Sequence, residues 1–522
     1  MLRARWLGLV PYAEAEMLQR GVHAHAGDDY LLLQEHPHVY TLGSSADLAH
    51  VLRDPASVGA ELISADRGGD VTYHGPGQLV GYPIVSLAEW KAGQRDVVAY
   101  VRRLEDVLIA VCADFGVVAE RSKGFTGVWV GDHKVAAIGV RVSRGRTRHG
   151  FALNVDPDLT MFEHIVPCGI RDRGVTSLAR LLGRPVAIRE VVDRVVARFA
   201  DVFGADAVER TDVAWERGER PTGPDAGFAV SLTRKRPDWM RVRARFDDGY
   251  LELKRLARGQ QLHTVCEEAG CPNIYECWAD RTATFMILGD RCTRACGFCL
   301  VDTRKPLAVD ADEPRRVAEA VATLDLAHAV ITCVARDDLP DGGASVFAET
   351  VDAIRTTTPG TTVELLISDC KGDPESLATI FGARPDVLNH NLETVARLQR
   401  LVRPSAGYAR SLAVLARAQA AGLVTKSGIM LGLGESLDEV RAALVDLRAV
   451  GVDLLTVGQY LRPSPGHLPV AKWWHPDEFA AIGEFARGLG FAHVESGPLV
   501  RSSYHAREGA ARMEPWLSAS VP

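Results

Sequence analysis

Six of the ten cysteines in this 522-residue chain lie within one short stretch. They form two triplets with different spacings, Cys266-x4-Cys271-x5-Cys277 and Cys292-x3-Cys296-x2-Cys299. Three thiolates on one short loop can hold three irons of a 4Fe–4S cluster and leave the fourth iron open to a substrate. Zinc stays open as the alternative, although structural zinc sites usually arrange their cysteines in paired CxxC knuckles. Scattered buried thiols are not expected at this density.

A different chemistry is indicated nearer the start of the chain by Cys168, Lys134 and a glycine-rich segment. Cys168 follows an apolar stretch in IVPCGIRDRGVTSL, and the residues alone leave a nucleophile and an ordinary loop cysteine equally open. Lys134 is a candidate cation that would favour the thiolate, with an ordinary exposed lysine as the alternative. The segment RGGDVTYHGPGQ, residues 67–78, is rich in turns and predicts a binding loop, with Tyr73 and His74 able to point into a pocket.

Composition limits the classes of function. The net charge is −7 and the pI is near 6.2, so nothing demands nucleic acid or an anionic membrane as a partner. No apolar run reaches the roughly 20 residues of a membrane span, and the apolar stretch at the start is too short for a signal peptide. We therefore expect a cytoplasmic protein, in whose reducing surroundings clustered thiols indicate metal rather than disulfides.

The first part of the chain mixes strands and helices without strict alternation, which predicts an α+β domain over residues 1–210. Strands are predicted at 30–34 and 79–86. A helix is predicted at 95–115, with Cys112 on its apolar face. Residues 126–140 predict a hairpin that turns at Gly131-Asp132.

Residues 211–233 are polar and contain Pro221 and Pro224, which predicts a linker to a second domain at 234–522. Strands and helices alternate in that domain, which predicts a partial (β/α)6 barrel of the TIM type. Chemistry in such barrels lies where the strands end, and Cys292 follows the first strand directly. The predicted strands are 282–289, 328–334, 362–368, 386–391, 425–431 and 453–459, and the helices between them include 313–324, 408–421 and 436–449.

Motifs of the second domain resemble two nested families. CTRACGFC, residues 292–299, resembles the cluster loop of radical S-adenosylmethionine enzymes. CEEAGCPNIYECW and RSSYHA, residues 501–506, are similar to motifs of lipoyl synthase. The resemblance implies S-adenosylmethionine as cofactor and two 4Fe–4S clusters. It assigns a radical-generating cluster to Cys292, Cys296 and Cys299, and a sulfur-donating auxiliary cluster to Cys266, Cys271, Cys277 and Ser503, with Ser502 as the alternative.

Other stretches agree with lipoyl synthase, among them LPDGGA and SGIMLGLGE. Gly342 and Gly343 would let backbone approach a ligand, although a plain turn remains open. Glu435, just past a strand, is placed for ribose or amine contacts, with a carboxylate at a helix N-terminus as the alternative. Cys333 and Cys370 fit neither triplet and are interpreted as buried small hydrophobes.

Motifs of the first domain, RGGDVTYHGPGQ, KVAAIGVR, HGFALNV and PCG, resemble the lipoyl(octanoyl) transferase family. That family is related to lipoate and biotin protein ligases, whose fold we expect. The resemblance makes Cys168 the acyl-accepting thiol and Lys134 the cation beside it. It implies a substrate channel lined by Arg67, Gly68, Gly69, Asp70, Val71, Thr72, Tyr73, His74, Ala137, Ile138, Gly139, Gly150, Phe151 and Ala152.

Together the resemblances imply a bifunctional lipoylation enzyme. An octanoyl group would pass from octanoyl-acyl carrier protein to a lysine of a lipoyl domain, and two sulfurs would then enter at carbons 6 and 8. The implied partners are lipoyl domains of 2-oxoacid dehydrogenases, the glycine cleavage H protein, and an electron donor such as ferredoxin or flavodoxin. The alternatives are an ATP-dependent ligase in the first domain, a biotin synthase-like enzyme in the second, and a zinc-stabilised, non-catalytic carrier-binding protein.

Overall fold

A computed structural model describes residues 1–91, 94–215, 236–240, 263–264, 273, 277 and 282–519. It separates the chain into two compact units, Met1–Trp215 and Glu216–Pro522. Most of the predicted linker lies outside the described residues. Cys266 and Cys271, in the second domain, also lie outside them. The predicted domain limits therefore stay predictions.

The first unit is built on a mixed nine-stranded sheet, as far as its residues are described. Eight strands follow the order β14-β1-β2-β6-β12-β11-β10-β9, and β13 pairs with β11. Strands β4, β3 and β5 form a smaller sheet. The strands are β1 Leu2–Leu9, β2 Asp29–Glu35, β3 Val39–Leu42, β4 Glu61–Ser64, β5 Thr72–His74, β6 Gln78–Ile84, β7 Glu89–Lys91, β8 Gln94–Arg95, β9 Glu120–Ser122, β10 Phe125–Val130, β11 His133–Ser143, β12 Arg146–Asn154, β13 Gly174–Val175 and β14 Val208–Asp212.

Four helices complete the first unit: α1 Tyr12–His25, α2 Val97–Asp114, α3 Leu178–Leu182 and α4 Ile188–Phe203. Helix α2 begins at the cap residue Asp96, whose carboxylate accepts from the amide of Ala99 at 2.7 Å. It buries Leu104, Leu108 and Cys112, which confirms that Cys112 belongs to the core. The predicted α+β class, the helix and the hairpin around Gly131 are confirmed.

In its described residues, the second unit holds seven parallel strands in sequential order, preceded by the antiparallel β15. All six strands predicted from the sequence are present, so the partial barrel is confirmed. The seventh, β22, was not predicted, because its four residues HVES carry no apolar pattern. The strands are β15 His263–Thr264, β16 Thr282–Ile287, β17 His328–Cys333, β18 Thr362–Leu366, β19 Val387–Asn389, β20 Thr425–Leu431, β21 Leu454–Gln459 and β22 His493–Ser496.

The helices in the described part of the second unit lie between these strands and after the last one. They are α5 Glu313–Thr323, α6 Ala344–Thr357, α7 Pro374–Gly382, α8 Gln399–Val402, α9 Tyr408–Ala420, α10 Leu437–Ala449, α11 Pro476–Gly488 and α12 Ala506–Ala519. None of the helices in the described part of the chain combines the length and the apolar character that crossing a bilayer requires.

Helix α12 covers the end of the barrel at which the strands begin. Its residues Ala510 and Met513 pack against Val387, Val424 and Leu454, which lie at the starts of β19, β20 and β21. The segment that leads into α12 passes the barrel interior, where residues 500–503 line the main cavity. One end of the barrel is therefore closed by the same stretch of chain that enters its interior.

Candidate active sites

A narrow cleft of about 50 Å³ in the first unit gathers most of the residues predicted to line a substrate channel. The loop before β5 forms one wall, and the middle of the β11–β12 pair forms the other. Its lining includes Arg67, Gly68, Gly69, Asp70, Thr72, His74, Ala137, Ile138, Gly139, Gly150, Phe151, Ala152 and Cys168.

Cys168 and Lys134 meet at this cleft. The Nζ atom of Lys134 lies 3.3 Å from the Sγ atom of Cys168. Lys134 is buried, and its Nζ is 4.8 Å from the centre of the Trp129 ring. A thiol with a lysine amine within hydrogen-bond distance is a candidate nucleophile.

Backbone geometry presents this thiol. Cys168 has φ 55° and ψ 22°, in the left-handed region that side chains other than glycine seldom adopt. Its amide donates to the carbonyl of Val71 at 3.0 Å, which ties the cysteine turn to the glycine-rich loop. Strained backbone of this kind is concentrated at functional sites, because the surrounding structure must enforce it.

Arg67 fixes the glycine-rich loop from within. Its Nη2 donates to the carbonyl and the hydroxyl of Thr41 at 2.6 and 2.8 Å, and burial lowers its pKa. Across the cleft, a Cβ on Gly139 would lie 2.9 Å from the carbonyl oxygen of Gly68. The two walls approach so closely there that only glycine fits without a shift.

The structure corrects two of the predicted lining residues. Val71 and Tyr73 face away from the cleft and pack in a core with Tyr40 and Phe162. Successive residues of a strand point to opposite faces, so Thr72 and His74 on β5 reach the cleft while Tyr73 does not. The sequence alone did not identify four further lining residues, Tyr12, Val80, Tyr82 and His149.

Two of these additional residues, Tyr12 and His149, contribute polar atoms to the cleft. The Tyr12 hydroxyl and His149 Nδ1 are buried without a hydrogen-bond partner among the described residues. Burial raises the pKa of Tyr12 and lowers that of His149. His149 begins the motif HGFALNV and was within reach of motif reasoning. Tyr12 opens α1 and gave no sign of its role.

A cavity of about 380 Å³ lies at the carboxyl ends of the strands in the second unit. It brings together the cysteine loop after β16, the polar residues after β19, and the segment between β22 and α12. Its lining includes Cys292, Arg294, Cys296, Cys299, Cys333, Asn391, Glu393, Arg403, Ser502 and Ser503. Cys333 therefore faces the cavity, contrary to its interpretation as a core residue, whereas Cys370 is buried as expected.

The three thiols of the loop fit an iron–sulfur cluster better than a zinc ion. In the described part of the chain, the one group of three ligand atoms within 4.8 Å of one another is Glu495, His505 and Glu508. At least one pair of the sulfurs of Cys292, Cys296 and Cys299 is therefore farther apart. Four-coordinate zinc holds its sulfurs about 3.8 Å apart, given Zn–S bonds of about 2.3 Å. A cluster of several irons spans the wider spacing.

Burial in this cavity disfavours bare thiolates. It raises the pKa of Cys296 to about 11 and also raises the pKa of Cys299. Iron bound to these sulfurs would supply the positive charge that holds thiols deprotonated. The donor set is thus chemically suited to a metal centre. Of the upstream triplet, only Cys277 is described, and it packs against the barrel core.

Two serines of RSSYHA line the same cavity but differ in their bonding. The hydroxyl of Ser502 accepts a hydrogen bond from Asn391 Nδ2 at 2.7 Å. The hydroxyl of Ser503 makes no hydrogen bond to another described residue. Both serines line the cavity, and the choice of Ser503 over Ser502 as a cluster ligand stays a prediction.

Two other expectations for the second unit are wrong, because the residues concerned lie outside the cavity. Gly342 and Gly343 do not line the cavity; with φ of 61° and 91° they form the turn that starts α6. Glu435 is also outside it, since its carboxylate accepts from the amides of Gly432 and Leu433 and from Trp474 Nε1. The plain structural alternatives hold for the glycines, and Glu435 organises its own loop.

Comparison with known proteins relates each unit to a known family. Residues 9–200 match the family model of the lipoyl protein ligase A/B catalytic domain, and residues 286–447 match that of the radical SAM superfamily. The lipoyl synthase of Mycobacterium avium (strain 104) is 59% identical over 272 residues, 52% of this chain and 89% of that protein. The lipoyl synthase of Mycobacterium sp. (strain KMS) is 57% identical over 290 residues, 55% of this chain and 89% of its own length.

Two solved structures show more distant likeness. The bipartite lipoate protein ligase of Thermoplasma acidophilum aligns with 41% of this chain and 87% of its own, at 16% identity and a TM-score of 0.33. Methylornithine synthase aligns with 43% of this chain and 63% of its own, at 15% identity and a TM-score of 0.30. Since the curated relatives are matched over most of their length at high identity, this chain belongs to the lipoyl synthase family, and it carries a catalytic domain of the lipoyl protein ligase A/B type ahead of that region.

Proposed function

We propose that the first unit transfers an octanoyl group from octanoyl-acyl carrier protein to a lysine of a lipoyl domain. The observation that carries this proposal is the 3.3 Å approach of Lys134 Nζ to Cys168 Sγ at the edge of the cleft. A pure ligase needs no thiol at this point, whereas acyl transfer through a thioester does.

The reaction would proceed in two thioester-level steps. The Cys168 thiolate attacks the carbonyl of the donor thioester, and the carrier leaves as a thiol after taking up a proton that Lys134 is placed to hold. The lysine amine of the lipoyl domain then attacks the acyl enzyme and passes its proton to Lys134, forming the amide and restoring the Cys168 thiolate. The apolar side chains of Val80, Phe151 and Ile138 give the acyl chain an apolar contact surface.

We further propose that the second unit inserts sulfur at carbons 6 and 8 of the bound octanoyl chain. Family membership brings S-adenosylmethionine and iron–sulfur chemistry, and a cluster with S-adenosylmethionine supplies a radical that breaks an unactivated C–H bond. In this proposal Cys292, Cys296 and Cys299 hold that cluster. Cys266, Cys271, Cys277 and Ser503 hold a second cluster that gives up sulfur.

The remaining cavity residues would bind and orient. Glu393 sits at φ 68°, and its Oε1 accepts from Asn391 Nδ2 at 3.1 Å. Arg403 is buried and donates to the carbonyls of Asn391 and Leu392, which fixes this polar loop beside the cysteines. The loop thus offers fixed polar groups next to the thiols, suited to a zwitterionic cofactor.

The experiment that tests both proposals is the intact mass of an apo lipoyl domain incubated anaerobically with this protein and octanoyl-acyl carrier protein. One sample lacks S-adenosylmethionine and reductant, and the other contains both. We expect an octanoyl increment in the first sample and a further two-sulfur increment in the second. Cys168→Ser should abolish the octanoyl increment, and Cys112→Ser is the matched control.

Other results would redirect the proposals. An octanoyl increment that needs ATP and free octanoate, and survives Cys168→Ser, would place the first unit among ATP-dependent ligases. A second unit that holds zinc, without iron and acid-labile sulfide, would reject the radical proposal in favour of a metal-stabilised carrier-binding protein.

A further inference from the structure

Arg294, between the first two cysteines of the cluster loop, is held by two carboxylates from different parts of the barrel. Its Nε and Nη2 donate to the two oxygens of Asp337 at 2.7 and 2.8 Å. Nη2 also donates to Asp369 Oδ1 at 2.6 Å. Asp337 follows β17 and Asp369 follows β18, so one guanidinium ties the loop to the ends of two neighbouring strands.

The neighbouring Thr293 makes a second, uncharged tie. Its amide and its hydroxyl both donate to the carbonyl of Ala335 at 2.9 Å. Its hydroxyl oxygen also accepts from the amide of Asp337 at 3.0 Å. Both side chains that follow Cys292 are therefore anchored to the short segment 335–337.

These ties aim two backbone amides at one sulfur. The amides of Arg294 and Ala335 donate to Cys292 Sγ at 3.4 and 3.3 Å. One donor comes from the cysteine loop and the other from the segment to which the loop is anchored. The two N–H···S contacts exist together only while the loop and the segment keep their present distance.

The contacts of Arg294 with Asp337 and Asp369 are not easily replaced. The Arg294 side chain is 6% exposed and that of Asp369 is fully buried. The second oxygen of Asp369 has no hydrogen-bond partner among the described residues, and Arg410 comes no nearer to it than 4.0 Å. Lysine would keep the charge but could not reproduce the planar fork that reaches both carboxylates.

We propose that Arg294 and Thr293 are positioning residues for the iron–sulfur centre. By holding two amide donors on Cys292, they raise the reduction potential of that centre. The inference rests on the proposed function, since it needs a cluster on this loop. Hydrogen bonds to cluster sulfurs are among the factors that set the potential of iron–sulfur centres, because they withdraw negative charge and favour the reduced form.

The test uses the full-length chain with Cys266, Cys271 and Cys277 changed to Ala, so that one cluster remains. Iron and sulfide content, the EPR spectrum and the midpoint potential are measured without S-adenosylmethionine. The variants are Arg294→Lys, which keeps the charge, and Thr293→Val, which is neutral and similar in shape. Arg304→Lys and Thr303→Val, at exposed positions of the same region, are the matched controls.

We expect both variants to bind iron like the parent but to be harder to reduce. A tenfold fall in the equilibrium constant for reduction corresponds to 59 mV for one electron. Potentials and EPR spectra equal to those of the controls would overturn the inference. If Arg294→Lys loses the cluster through unfolding, the Thr293→Val result decides. A parent chain that binds no iron would instead defeat the proposed function itself.

Discussion

Lys134 is a buried lysine whose Nζ lies against the Cys168 sulfur. No carboxylate among the described residues lies within ion-pair distance of its Nζ, which contacts the Trp129 ring and the thiol. A buried charge is costly unless it is paired. Among the described residues, the Cys168 sulfur is the polar side-chain atom that lies next to this lysine amine.

The reactivity of Cys168 should accordingly depend on Lys134. We expect Lys134→Gln to slow alkylation of Cys168 by iodoacetamide at pH 7 by about tenfold or more, because the thiolate loses its partner. Peptide mass spectrometry of the alkylated protein measures the rate at this one residue. Lys123→Gln, at an exposed position nearby, is the control. An unchanged rate in Lys134→Gln would mean that the lysine does not activate the thiol.

A buried histidine in the first unit predicts how its stability changes with pH. Burial lowers the pKa of His36 to about 4; its Nδ1–H donates to the carbonyl of Val10 and its Nε2 accepts from Tyr82. The unfolded chain binds a proton near pH 6.5, whereas the folded unit resists it down to about 4. The stability contributed by neutral His36 is therefore full above pH 6.5 and is lost as the pH falls towards 4.

The expected slope for this single group is about 1.4 kcal/mol per pH unit inside that window. Denaturant unfolding of the chain at pH 7.0, 6.0 and 5.0 measures it. In His36→Gln, the unfolding free energy of the first unit should depend on pH less steeply by that amount. If the two proteins show parallel pH profiles, His36 is not the titrating group.

At the scale of elements, strand β21 and the segment before α12 approach so closely that one glycine decides their fit. A Cβ on Gly458 would lie 2.1 Å from the carbonyl oxygen of Val500. Any side chain at position 458 must therefore push aside the segment that carries Ser502 and Ser503. The cavity depends on a contact between two backbones.

Gly458→Ala should displace Ser503 and weaken the auxiliary cluster. We expect the iron content of the reconstituted protein to fall by about half, since one of two proposed four-iron clusters loses a ligand. Gly488→Ala is the control, because a Cβ there meets nothing within 4 Å. Full iron content in Gly458→Ala, with sulfur insertion retained, would show that the segment needs no such close approach.

The elements also show where sequence reasoning succeeds and where it ends. Helix α2 was predicted because apolar residues recur along one of its faces, whereas strands β16 to β21, which are buried almost throughout, were predicted from the regular alternation of strands and helices. The short β22 was missed, since its partners are set by β21 rather than by its own four residues. Glu435 shows the same limit: Trp474, one of its hydrogen-bond partners, lies 39 positions away, and no local motif reports that.

Within the candidate sites, motif spacing predicted most residues that line the cleft of the first unit, but few that line the cavity of the second beyond its three loop cysteines and two serines. It could not tell which side of a three-residue strand faces the cleft, so Tyr73 was assigned together with His74. It also could not supply residues such as Tyr12, which reach the site only through packing of the whole unit. Residue type and spacing report chemistry, while orientation comes from tertiary structure.

For the whole molecule, the two proposed activities are consecutive, because the octanoylated product of one unit is the substrate of the other. Covalent linkage of two sites raises the effective concentration of a shared carrier. We expect the intact chain to convert apo lipoyl domain to lipoylated product faster than an equimolar mixture of residues 1–215 and 216–522 at low micromolar protein.

The comparison needs its own controls, since separate units could lose activity for other reasons. Each piece should first show the circular dichroism expected of its fold and its own partial reaction. With both partial reactions intact, equal overall rates for mixture and chain would reject the advantage of linkage. The difference between them should shrink as the protein concentration rises, because the mixture then supplies the carrier as effectively.

Residues 500–503 line the barrel cavity, so this cavity can be completed only late in synthesis of the chain. The sheet of the first unit has all its described strands once Asp212 has emerged from the ribosome, whereas the walls of the second cavity wait for Ser503. At about 5–20 residues per second, that interval of roughly 290 residues lasts about 15 to 60 s. Cys292, Cys296 and Cys299 are synthesised about 200 residues before Ser503, so for about 10 to 40 s of this interval their loop is present while the cavity wall is incomplete.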